Sequence, residues 1–268
     1  MNPWPSFDLL WIAGKLGYFD LEEVEVRLLD FEGLADGRLA LDRGMLDGFL
    51  TTSVDLAFTR VPVRPVWVLD RSLGGDALLA APQVRGLADL RGRRIALEED
   101  SVNALVLHSA LAAAGLEPGD VLVRPMGQLV AEEQFRSGTL DALITYPPVL
   151  TRLEALPGVQ RLYDSRQMPQ PIYDIMVMRE DVASVRAEAV AALVRALQRA
   201  LALLQTDPAQ VHALIAARHH TDPATVAASF RGLEMYGAEA QAALLKPGGP
   251  VDNARDYAWE TLPSAPSE

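Results

Sequence analysis

The sequence contains no cysteine. Thiolate nucleophiles, disulfides, zinc–thiolate centres and iron–sulfur clusters are thereby excluded. Lysine is nearly absent as well: Lys15 and Lys246 are the only two, which leaves almost no candidate for a Schiff-base or P-loop lysine. No run of about 18 apolar residues is long enough to span a bilayer. The nearest approach, residues 187–204, is interrupted by Arg195 and Arg199 and reads as a surface helix. No basic and then apolar leader precedes Asn2-Pro3-Trp4-Pro5, so a cytoplasmic protein, a mature chain and a displaced start all stay open. Gly-x-Gly-x-x-Gly, P-loop and Gly-x-Ser-x-Gly patterns are missing, so nucleotide-cofactor and serine-nucleophile chemistry have no support. None of the four histidines, His108, His212, His219 and His220, has a second ligand-type residue at metal-binding spacing. Surface or packing roles are expected for them, and neither a metal nor a cofactor is expected.

The chain does have acidity. Thirty-six Asp+Glu stand against 24 Lys+Arg in 268 residues, a net charge of −12. That balance removes the long-range attraction to phosphate backbones and anionic lipid, so neither nucleic acid nor a membrane is an expected partner. Half of the residues are hydrophobic, enough for a real core rather than disorder. The length suits two modest domains or one large α/β unit.

Short apolar, β-branched runs at 24–31, 48–52, 66–69, 77–81, 94–98, 121–126, 142–146, 160–163 and 174–179 read as strands. Helical patterns separate many of them. One covers 101–114, with Ser101 as N-cap and Gly115 as the stop. This alternation argues for mostly parallel sheets covered on both faces. After Arg179 the pattern is helical only, with Val190, Leu193, Val194, Leu197, Leu201 and Leu204 forming a stripe. Asp207-Pro208 and Asp222-Pro223 each open a further helix. The tail from Leu262 is expected to fray.

An internal echo is more specific. Gly44-x-Leu46-Asp47 and the run to Thr51 match Gly138-x-Leu140-Asp141 and the run to Thr145, an offset of 138 − 44 = 94 residues. Val24–Arg27 pairs loosely with Val121–Arg124. Two copies of one α/β unit imply two similar lobes. Ligands in such sheets sit beyond the carboxyl ends of strands, which nominates Thr51-Thr52-Ser53 in one copy and Thr145-Tyr146-Pro147-Pro148 in the other. Stretches 66–80 and 171–179 are expected to cross between the lobes, with Gly74-Gly75 at a bend or close approach.

Asn2-Pro3-Trp4-Pro5, Leu16-Gly17-Tyr18-Phe19, Gly44-x-x-Asp47, the segment Leu87 to Glu98, and Gly138-x-x-Asp141-Ala142 follow one another in a familiar order. In that order they resemble the substrate-binding proteins of nitrate/sulfonate/taurine-type ABC importers, a group that includes binders of thiamine-pyrimidine precursors. The resemblance spans residues 2–245. It implies a type II periplasmic-binding-protein fold, with two α/β lobes (1–72 plus 173–268, and 73–172), a two-strand hinge and a helical C-terminal region. It also implies a small-molecule ligand trapped on closure, permease and ATPase partners, action as a monomer, and a periplasmic or extracellular, membrane-associated location. The chain departs from the pattern in having neither a secretion signal nor a first strand before Asn2. A cytoplasmic enzyme or a sensor module on the same fold therefore remains as the alternative. The pyrimidine-synthase relative relies on a Cys-rich motif, which this chain lacks.

Trp4, held between two prolines, offers a flat wall to a ligand or packs in the core. Tyr146 offers a ring and a hydroxyl, or packing. Ser101 and Asn103 stand at a helix start beside Glu98, a strand-end carboxylate that can point inward; Glu99 and Asp100 read as favourable first-turn acids. Asp70, Asp76 and Asp174 lie on the crossing stretches. Asp174, flanked by apolar residues, needs a partner, either a ligand or a salt bridge to Arg71 or Arg179. Among basic residues only Arg71 lies on these cleft loops. The charge balance therefore points to an amine-bearing or zwitterionic ligand held by carboxylates and stacked on Trp4 or Tyr146, rather than to nitrate or a simple sulfonate.

Overall fold

The computed structural model describes residues 3–31, 33–99 and 101–253; Asn2, Asp100 and the tail from Leu262 lie outside them. Among the described residues nine strands form two separate sheets. The first has the order β1 (Gly48–Thr52), β8 (Tyr173–Arg179), β2 (Val63–Ser72), β9 (Leu233–Met235). The second has the order β5 (Leu122–Pro125), β4 (Arg94–Leu97), β6 (Ala142–Thr145), β3 (Ala77–Ala80), β7 (Gln160–Asp164). The expectation of mostly parallel sheets is corrected. The first sheet is antiparallel throughout, and only β4 with β5 and β6 pairs in parallel. The reason lies in the two crossings: β2 leaves the first sheet for the second and β8 returns from it, so β8 runs against both β1 and β2.

Those crossings are tied together. Ser72 N–H donates to the Ile172 carbonyl at 2.9 Å. The Ser72 and Ser165 hydroxyls are 2.8 Å apart, and Gly74 N–H donates to Ser165 Oγ at 2.7 Å. Gly74 adopts φ +102°, which disfavours any side chain there. At Gly75 a Cβ would stand 2.9 Å from the Trp4 ring.

The echoed units are α3 (Leu34–Asp42) into β1 and α5 (Gln128–Arg136) into β6. In both, a left-handed glycine, Gly44 or Gly138, stops the helix. Residues 24–31, expected as a strand, run extended but join no ladder among the described residues. Val24, Val26 and Leu28 are half-buried against the core of the first sheet, while Glu25 and Arg27 face solvent. Packing on one side thus produces the period-two pattern without pairing.

Helices cover both sheets. α1 (Asp8–Lys15) and α2 (Tyr18–Leu21) pack on α8 (Ala187–Thr206), whose buried face is centred on Ala192, Ala196 and Ala200 with Leu197 and Leu201. The expected stripe is therefore rotated: Leu193, Val194 and Leu204 are half-buried, because the small alanines permit the closest approach. On the outer face Arg195 and Arg199 both bind Glu22, at 2.6 Å each. In the second sheet, α4 (Val102–Ala113) begins at Ser101, which accepts from Asn103 N–H, and α6 (Val149–Glu154) follows β6. The chain then continues through α7 (Glu180–Val185), α9 (Pro208–Arg218) and α10 (Pro223–Phe230); Asp207 and Asp222 cap the last two through their side chains. α11 (Ala238–Leu244) and α12 (Pro250–Asn253) close the described chain. On α11, Gln241 fills a bulge in β2, bonding the Val68 N–H at 2.8 Å and its carbonyl at 2.9 Å.

Candidate functional site

A cleft of about 930 Å³ lies between elements of the two sheets. On the first-sheet side stand α1, the start of α3 and the end of α9. On the second-sheet side stand the turn after β4, the start of α5, and the loop from β6 into α6. The strand-end loops and helix starts gather here because parallel strands β4, β5 and β6 all deliver their carboxyl ends to this side.

Three of the ten candidate ligand-binding residues line this cleft, Glu98, Ser101 and Tyr146; Glu99 and Pro148 line it as well. Tyr146 donates its hydroxyl to Glu98 Oε2 at 3.0 Å. Burial pushes Glu98 up to about 7; the Tyr146 bond opposes that rise, the charge of Asp55 adds to it, and bonds from the Gln128 side chain and backbone oppose it. Ser101 Oγ donates to the Glu98 carbonyl at 2.8 Å. Asn103, completely buried, accepts from Glu98 N–H at 3.3 Å and from Gln128 Nε2 at 3.1 Å.

The remaining candidates do not line the cleft; Trp4 links its residue Tyr146 to Asp70 and so to a buried floor of carboxyls. The Trp4 and Tyr146 rings meet edge to face with centroids 5.9 Å apart, and Trp4 Nε1–H points at Asp70 Oδ2, 3.4 Å away. Asp70 and Asp174 are register partners on β2 and β8, and their carboxyls interact directly. Burial raises Asp70 to about 6. It raises Asp174 well above the carboxylate range, with the Asp70 and Asp76 charges adding to the effect. Burial raises Asp76 to about 7, opposed by its bond from Ser72. Thr51 and Thr52 both donate to Asp55 Oδ2, at 3.4 and 2.9 Å. Asp70 Oδ1, Asp174 Oδ2 and Asp55 Oδ1 are buried without any hydrogen-bond partner.

The anticipated salt bridges to Asp174 do not form. Arg71 is paired with Glu234 at 3.0 Å and Arg179 with Asp181 at 2.7 Å, because β2 and β8 carry those arginines away from the floor. Among the described residues, Asp70, Asp76, Asp174 and Glu98 have no ion-pair partner; the ion pairs found involve other carboxylates.

The placing of cations is also corrected. Arg71 does not line the cleft, whereas Arg152, Arg218 and His219 do. They come from helix ends rather than strand-end loops, so a rule about strand ends passes over them. His219, expected at the surface or in packing, sets Nε2 2.8 Å from Asp8 Oδ2. Arg218 stacks over Trp11 and binds Asp30 at 2.7 Å, and Arg152 is paired with Glu132. Each wall cation already faces a carboxylate. Gln128 and Gly33 were missed as well, although the strand-end rule applied to β5 would have found Gln128. No group of His, Asp and Glu among the described residues is arranged to hold a metal.

A family model described as NMT1/THI5 like matches residues 4–211. The taurine-binding periplasmic protein of Escherichia coli (strain K12) is 30% identical over 143 residues, 52% of this chain and 44% of that protein. The chain thus spans under half the length of the curated relatives it matches. The alkanesulfonate-binding protein SsuA from Xanthomonas axonopodis pv. citri, bound to MOPS, superimposes with a TM-score of 0.77 at 18% identity, covering 95% of this chain and 98% of that one. The Candida albicans CA3427 gene product, described as having the generic periplasmic binding protein fold, gives 0.76 at 9% identity over 98% and 90%. These two likenesses establish the periplasmic-binding-protein fold.

Proposed function

The chain belongs to the NMT1/THI5-like family, and from that premise we propose that it is the solute-binding component of an ABC importer. It traps a small amine-bearing or zwitterionic molecule between lobes 1–72 plus 173–268 and 73–172, closing about the two crossing strands. The partition of the strands into two sheets supports these boundaries. Glu98 meets the ammonium group, Tyr146 and Trp4 form an aromatic wall, and Asp70 and Asp174 supply negative potential from below. Ser101 and Asn103 set the position of Glu98, Thr51 and Thr52 hold the neighbouring Asp55, and Asp76 adds its charge at the crossing.

One observation carries the charge of the ligand: half-buried Glu98 in the cleft, together with the buried carboxyls of Asp70, Asp76 and Asp174, has no ion-pair partner among the described residues. Burying such groups unpaired is costly, and an incoming cation relieves the cost. Arg152 and Arg218 do not undo this, since each already has a carboxylate partner, although Nη1 of Arg218 is buried without a hydrogen bond. The matched relative's taurine is a zwitterion of the proposed kind. The site is read as binding without chemistry, in a monomer that delivers its ligand to permease and ATPase subunits at the outer face of a membrane. No helix among the described residues is long and apolar enough to cross one.

The test is thermal-shift fluorimetry of the purified protein with taurine, propylammonium, ethanesulfonate and nitrate, alongside native mass spectrometry of co-purified ligand. Stabilisation by taurine or propylammonium is expected. Stabilisation by ethanesulfonate and nitrate alone would overturn the reading.

A further inference from the structure

Two helices begin in the cleft, one on each side of Glu98. α3 opens at Gly33 and α5 at Gly127; each runs nine residues, and neither has a side-chain cap. The first N–H groups of such helices lack partners, and the positive end of the helix dipole favours an anion beside them. The position is filled from within the chain. Gln128, the first residue of α5, lies beside the Glu98 carboxyl, and its side chain and backbone oppose the rise in that group's pKa. Glu98 Oε1 lies so near the start of α3 that a Cβ on Gly33 would be 3.2 Å away. Tyr146 donates its hydroxyl to Glu98 Oε2 at 3.0 Å. One donor of the same cluster is unused: Asn103 Nδ2, completely buried, has no partner, although the other end of that amide binds both Glu98 N–H and Gln128. The donors of an anion receptor therefore surround a carboxylate that belongs to the protein.

We propose that Glu98 is the specificity-determining residue of the cleft, an internal carboxylate that occupies the anion position between α3 and α5. It turns a receptor for sulfonates or carboxylates into one for ammonium groups. The inference rests on the reading of this cleft as the ligand site and deepens it. Asp36 in the first turn of α3 and Glu99 also line the cleft. They remain when Glu98 is removed and limit the gain without cancelling it, since among the described residues Glu98 is the acid placed beside both helix starts.

The test is titration calorimetry near pH 8 on the full chain and on Glu98→Gln and Glu98→Ala, with ethanesulfonate and propylammonium as probes and circular dichroism to verify folding. Glu98→Gln keeps the shape of the side chain and removes only its charge; Glu98→Ala also vacates the position. Both are expected to bind ethanesulfonate at least about tenfold more tightly than the wild type, because a like charge within a few ångströms has gone. Both are expected to lose propylammonium affinity by a similar factor. If neither variant gains ethanesulfonate affinity, or if the wild type already binds it as tightly, the proposal is overturned. Wild-type binding of propylammonium with no gain in the variants would overturn the role of Glu98 and leave the proposed function standing. A gain in the variants with no cation bound by the wild type would support Glu98 as the blocking anion and remove the ligand reading instead.

Discussion

Asp70, Asp76, Asp174 and Glu98 make the empty protein sensitive to pH in a direction opposite to that of ordinary ion-paired carboxylates. Each is raised in the folded state by burial, to about 6 for Asp70 and about 7 for Asp76 and Glu98. Between about pH 4 and about pH 7 the folded chain holds protons that the unfolded chain has released, so stability falls as pH climbs through that window. For Asp76, a rise from 3.8 to about 7 corresponds to roughly 4 kcal/mol. Asp141, Asp164 and Glu132, lowered by their arginine partners against the pull of burial, act in the other sense and only near and below about pH 4. The melting temperature is therefore expected to drop between pH 5 and pH 8, and Asp174→Asn is expected to flatten that drop and raise the value at pH 8. A melting temperature that is level or rising over the same interval would contradict this account. The functional corollary has the same origin: each carboxyl that ionises across the window adds attraction for a cationic ligand.

At the scale of elements, Gln241 joins sequence to sheet in a way that residue patterns do not announce. β2 shifts register between Val68 and Asp70, and the bulge would leave a buried N–H and carbonyl unmet. The Gln241 amide meets both. Gln241→Ala is expected to cost about 1–3 kcal/mol by denaturant titration, whereas Gln241→Glu, which keeps an acceptor but no donor, is expected to recover only part of the loss. A cost within experimental error for the alanine variant would mean that water substitutes for the amide. Elements like β1, β6, α4, α9 and α10 were legible because their signals are local: a left-handed glycine, a capping Ser or Asp, a proline in the first turn. Strand direction was not legible, because it depends on which sheet a crossing strand enters. The short strand β9 offered only three residues, too few to establish a period. In the site, Glu98, Ser101 and Tyr146 were readable from the ends of their strands. Arg218, His219 and Gly33 were not, since the chain folds them into the cleft from helix ends distant in sequence.

At the scale of the whole molecule, side chains as well as the crossing strands join the two sides of the cleft: Tyr146 packs into the first-sheet core and Val54 into that of the second. Trp4 meets Tyr146, and on the far rim Thr151 Oγ1 of α6 lies 3.2 Å from Ser229 Oγ of α10. With the proposed hinge at the crossing strands, a ligand that touches both sides biases the balance between open and closed forms. The absence of cysteine makes this directly measurable, because an introduced pair has no competitor. With Thr151→Cys and Ser229→Cys combined, oxidation is expected to cross-link the rims, and a bound ligand is expected to speed the reaction by raising the closed population. Once cross-linked, the protein should exchange its ligand at least about tenfold more slowly than the reduced form, since exit requires the rims to part. Reduction should restore the original rate. Equal exchange rates in the two forms would show that solutes reach Glu98 without any opening of the cleft, and closure would lose its part in the mechanism.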